Sequence, residues 1–76
     1  MARMFVPTQE IIKRCNISYQ TVNYYTNLGL LNVRSRKGNS RLYDFEEVKR
    51  CLEEITKLKN QGYSLKLIRD VLRKER

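Results

Sequence analysis

Apolar residues recur at helical spacing in four stretches of this chain, and between the second and third the spacing shortens to the alternation of strands. Ile11, Ile12 and Cys15 form the first stripe. Thr8 is placed to cap that helix, with Pro7 before it and Glu10 in the first turn to meet the helix dipole. The helix should end near Cys15. Asn16 tolerates the left-handed conformation a tight turn needs, Ile17 plugs the turn from inside, and Ser18 caps a second helix over about Tyr19 to Asn27. Gly29 stands where a helix C-cap is expected, and Leu30 and Leu31 tuck the chain back under the core.

Val33 to Arg36 and Arg41 to Tyr43 then read as two short strands, with Lys37-Gly38-Asn39-Ser40 as the turn between them. From Asp44 the pattern lengthens into a helix. Asp44 caps it, Glu46 and Glu47 sit in its first turn, and Phe45, Val48, Cys51, Leu52, Ile55 and Leu58 mark its core stripe as far as Gln61-Gly62. Ser64 caps a last helix with Leu65, Ile68, Val71 and Leu72 inward. The expected fold is mainly α with a small β-hairpin.

The inward positions Ile11, Cys15, Ile17, Val22 and Tyr25 have the spacing of a helix-turn-helix: two on the first helix, one in the turn, two on the second. That leaves Tyr19, Gln20, Asn23 and Tyr24 outward on the second helix. Gln and Asn each carry a donor and an acceptor on one planar amide, which suits the N6 and N7 edge of adenine in a major groove. Tyrosine adds a phosphate hydrogen bond or a contact to a thymine methyl. Arg34, Arg36, Lys37 and Arg41 crowd the following hairpin with no acid among them, and phosphates would relieve their mutual repulsion. At the start of the last helix the free amides, with Lys66 nearby, read equally as a further phosphate contact or as a plain turn.

Charge sharpens this picture. Of 76 residues, 16 are Lys or Arg and 8 are Asp or Glu. The excess is uneven: residues 1–43 hold 7 basic and 1 acidic, residues 44–76 hold 9 and 7. A basic field on the front half favours a polyanion. One small domain, which buries about 60% of its unfolded surface, has no room for a deep catalytic cleft. There is no histidine, no cysteine with a base, and no glycine-rich phosphate loop, so no enzyme, cofactor or metal is implied. Cys15 and Cys51 lie on apolar helix faces and read as packing residues in a reducing cytoplasm. No stretch is apolar enough to span a bilayer, and the start lacks the core of a signal peptide.

Four ordered motifs, Thr21-Val22-Asn23-Tyr24-Tyr25, Gly29-Leu30-Leu31, Ser40-Arg41-Leu42-Tyr43 and Gly62-Tyr63-Ser64-Leu65 with Ile68, resemble the N-terminal DNA-binding domain of the MerR family of bacterial regulators, over about Val6 to Leu72. The resemblance implies a winged helix-turn-helix of four helices and a two-stranded wing. In it the second helix enters the major groove, the hairpin is a first wing, and the last two helices form a second. Residues 1–76 then make one domain: helix-turn-helix 8–27, wing 33–43 and helical pair 44–73. Tyr24 and Tyr25 match the family's paired tyrosines, and Arg41 its wing arginine. Tyr25 is left in the core because its spacing points inward. Asn23 stands where the family commonly has arginine, Ile12 where a small residue is usual, and Asn16 where glycine is.

The resemblance also implies a long dimerising helix and an effector segment, which this chain does not carry. The expectation is either a chain cut at a domain boundary or a minimal protein. A homodimer on DNA, joined through a segment absent here, stays open. The leading reading is sequence-specific binding of double-stranded DNA in transcription control, near the nucleoid. In it Tyr19, Gln20, Asn23 and Tyr24 read or position, and Arg34, Arg36, Lys37 and Arg41 clamp the backbone. Two others remain open: an excisionase-like factor that bends DNA for recombination, and a module whose recognition helix docks on an acidic protein.

Overall fold

The computed structural model describes residues 4–74. Its elements, in chain order, are β1 (Phe5–Pro7), α1 (Thr8–Cys15), α2 (Tyr19–Leu28), β2 (Ser35–Lys37), β3 (Ser40–Asp44), α3 (Phe45–Asn60) and α4 (Leu65–Lys74). Helices dominate, and a small antiparallel sheet in the order β1-β3-β2 sits beside them.

Local signals account for most boundaries. Asn16 closes α1 at φ 55°, ψ 48°, the left-handed conformation that asparagine tolerates. The Ser18 hydroxyl accepts from the Thr21 amide at 3.1 Å and starts α2. Gly29, at φ 91°, ends α2, its amide donating to the Thr26 carbonyl. The Asp44 carboxylate accepts from the amides of Glu46 (3.1 Å) and Glu47 (3.3 Å) and starts α3. The first helix differs from expectation. Pro7 occupies the cap position and no side chain caps it, so Thr8 is the first helical residue.

The sheet differs too. The strands expected over Val33 to Arg36 and Arg41 to Tyr43 lie at Ser35–Lys37 and Ser40–Asp44, leaving only Gly38 and Asn39 in the loop. Gly38, at φ 62°, holds the first of these two positions, where a type II′ hairpin turn takes glycine. A third strand was not expected. Phe5, Val6 and Pro7 pair with Asp44, Tyr43 and Leu42, which makes the two-stranded wing a three-stranded sheet. Three residues are too few to display alternation, and their partners lie far along the chain. Pro7 is tolerated because β1 is an edge strand and needs no inward donor there.

Two apolar clusters hold these pieces together. The first joins Val6, Ile11, Val22, Leu31, Tyr43, Val48 and Cys51, with Cys15, Ile17 and Tyr25 packed against it. All five predicted inward positions of the helix-turn-helix therefore pack where their spacing put them. The second cluster joins Leu30, Ile55, Ile68 and Leu72, and so seats α4 under the end of α2 and the far half of α3. Tyr25 and Leu52 touch both clusters.

Candidate nucleic-acid interface

Strand β3 decides how the wing and α2 are placed. Side chains alternate across a strand, so Arg41 and Tyr43 share one face of β3. Both reach α2: Arg41 Nη1 donates to Asn23 Oδ1 over 3.0 Å, and the Tyr43 hydroxyl hydrogen bonds Thr26 Oγ1 over 2.8 Å. Asn23 and Thr26 are three residues apart, hence neighbours along one side of a helix. Two adjacent positions of the strand thus bolt onto two adjacent positions of the helix. Tyr43 is fully buried, and Thr26 also donates or shares its hydroxyl with the Val22 carbonyl at 2.7 Å. A buried phenol needs a partner, and that need is the signal by which Thr26 could have been found.

On the outer side of α2, Tyr19 (58% exposed) and Tyr24 (53%) stand open, as does Gln20. Asn23 is half-buried under Arg41. Tyr25 turns inward as expected, its ring centroid 6.2 Å from that of Tyr24. The amide at Asn23, where the family commonly has arginine, thus takes a cation from the wing rather than supplying one.

The four hairpin cations are not equivalent. Arg36 lies directly across from Arg41 in the β2–β3 register, on the face that meets α2. Lys37 is the next residue along and falls on the opposite face of the strand. Arg34 is already engaged: its guanidinium donates to the Glu47 carboxylate at the start of α3 in an ion pair. The hydrogen bond and charge of Glu47 push the Arg34 pKa further up. The hairpin itself holds no acid among its four cations, but Arg34 takes a carboxylate partner from α3. The sequence separates it from Glu47 by both strands of the hairpin, so only the fold could pair them.

Near α4, the Ser64 hydroxyl accepts from the Leu67 amide at 3.2 Å, so one of the amides at that helix start is already capped. Cys15 and Cys51 are not joined in a disulfide. Burial pushes the Cys15 thiol pKa up, partly opposed by the charge of Lys49. Among the described residues there is no group of three or more His, Cys, Asp or Glu side chains fit to hold a metal ion, and no helix long and apolar enough to cross a membrane.

Residues 7–75 match the profile of the family described as MerR HTH family regulatory protein. The chain belongs to the MerR family. No curated protein and no solved structure matched it. Membership makes this a DNA-binding regulatory protein with a helix-turn-helix, from a family that is not enzymatic. In this MerR-family chain the helix-turn-helix is α1, the Asn16–Ser18 turn and α2, and the β2–β3 hairpin is its wing.

Proposed function

We propose that this protein binds double-stranded DNA sequence-specifically in transcription control, with α2 in the major groove and the β2–β3 wing on the adjoining phosphates. The observation that carries the reading is the Arg41–Asn23 hydrogen bond, because it sets the wing and the outer face of α2 on one side of the molecule. Gln20 keeps its whole amide available for a base edge, and an amide can pair with both N6 and N7 of adenine. Asn23 has its oxygen on Arg41 and retains two donors. Tyr19 and Tyr24, exposed on either side of that pair, suit phosphate oxygens or thymine methyls. Arg36 and Lys37 end β2 just before the hairpin tip and act on the backbone irrespective of sequence. Arg34 contributes field rather than contact, since Glu47 holds it.

Selection of bound duplexes from a random pool, followed by salt titration of the winner, tests this. Gln20→Ala should relax preference at one base pair by about 1–3 kcal/mol. Arg36→Ala should weaken all sequences alike and lower the salt slope by about one. Identical behaviour of the two variants would overturn the division of roles. The symmetry of the winning site also reports whether two copies bind together.

A further inference from the structure

The face of the molecule away from Asn23 carries an open groove of about 1110 Å³ that none of the eight proposed DNA-binding side chains lines. Thr21 and Tyr25 form its α2 wall, and each lies two residues from Asn23, which is about 200° around a helix. Its floor is apolar and half-buried: Cys15, Ile17, Tyr25 and Leu52. Its rim is cationic and exposed: Arg14, Lys49, Lys57 and Lys59, against the single acid Glu53. Arg14 is committed to Glu10 at 3.0 Å and lies over the Phe45 ring at 5.4 Å. Among the described residues the three lysines have no ion-pair partner.

The groove follows α3. Phe45, Lys49, Leu52, Thr56 and Lys59 all line it, at the alternating steps of four and three that make a seam for a second helix. Over those residues α3 advances about 21 Å, the length of roughly four helical turns. A second copy of this chain would bring a formal charge of +8 to a cationic rim, and so is disfavoured. An apolar floor with three unpaired lysines along its α3 wall is complementary to a helix with an apolar stripe and carboxylates on the side that meets α3.

We propose that the α1–α2–α3 groove docks an acidic amphipathic helix of a partner protein, leaving the α2 and wing surface free. The occupant lays three or four apolar side chains at helical spacing over Cys15, Ile17, Tyr25 and Leu52. Its acids meet Lys49, Lys57 and Lys59. A regulator so equipped holds DNA on one face and a protein on the other.

The test uses the full chain and two fluorescein-labelled 15-residue helical peptides with the same leucine stripe, one flanked by Glu and one by Lys. Anisotropy at about 0.1 M salt should show binding of the Glu peptide alone. The Lys49→Glu, Lys59→Glu double variant should weaken it by about tenfold or more while retaining duplex affinity. Bound peptide should slow alkylation of Cys15 in the unsubstituted chain, and a saturating duplex should not displace it. Equal binding of the Lys peptide, unaltered Cys15 alkylation, or displacement by DNA would each overturn the proposal, the last by moving the acids onto the wing cations. Self-association in sedimentation that the double variant abolishes would overturn it in favour of a second copy. Loss of duplex affinity in the unsubstituted chain would instead count against the DNA reading, and leaves this one standing.

Discussion

Asn23 Oδ1 accepts a hydrogen bond from Arg41 Nη1 at 3.0 Å, and that contact ties the wing directly to α2. Directly across the hairpin from Arg41 stands Arg36, a like charge, so Asn23 also steadies a cation that its nearest strand neighbour repels. The two residues should therefore act as a unit. In a double-mutant cycle on duplex affinity, Asn23→Ala and Arg41→Ala should be non-additive by about 0.5–3 kcal/mol. Gln20→Ala and Arg36→Ala, with no bond between them, should add. Additivity at the first pair would mean the contact is absent when DNA is bound.

The Arg34–Glu47 pair sorts the hairpin cations. Glu47 is mostly covered, and its second carboxylate oxygen, Oε1, is buried with no hydrogen-bond partner among the described residues. Arg34→Ala leaves that carboxylate without its cation, while Arg36→Ala removes only an exposed charge. In chemical denaturation Arg34→Ala should cost about 1 kcal/mol, the upper end for a pair open to solvent on one side, and Arg36→Ala close to nothing. In DNA binding the order should reverse, with Arg36→Ala the more damaging. Equal effects of both variants in both assays would remove the distinction drawn between them.

Cys15 reports on the groove through its titration. Burial raises its pKa and Lys49 lowers it, burial being the larger influence. Less thiolate is present at a given pH than for an open cysteine, so iodoacetamide should react slowly near pH 8. Removing the opposing charge in Lys49→Ala should slow it further. For stability, a folded value above the unfolded one means the folded chain holds its proton longer. This contribution is complete below the ordinary thiol pKa, ~8.5, and is lost as pH rises through the raised value. Rates and melting temperatures measured from pH 7 to 10 check both signs, and an acceleration in Lys49→Ala would contradict the assignment.

Much of the fold is legible in the chain because its instructions are local. Ser18, Asp44, Gly29 and Asn16 each act on backbone groups within three or four residues, so their types and positions suffice to start or stop a helix. The inward stripe of the helix-turn-helix needs only periodicity, and it packs as its spacing implies. Thr8 shows where this reasoning slips. A capping residue next to a proline was expected to cap, yet pairing of Phe5–Pro7 with β3 carries the helix start one residue earlier. That pairing joins segments far apart in sequence, and no local pattern announces it.

The candidate interface divides in the same way. Residue type and spacing alone named the outward amides and phenols of α2 and the basic hairpin, while the family was legible only through the resemblance of four motifs to known members and the match over residues 7–75. Tertiary structure alone decided that Arg34 is spent on Glu47, that Arg41 is held by Asn23, that Thr26 receives the Tyr43 hydroxyl, and that a cationic groove runs along α3. The reason is one of range. Capping and periodicity act over a turn of helix or a step of strand, whereas which charge meets which is settled only after the apolar clusters have brought distant segments within a few ångströms.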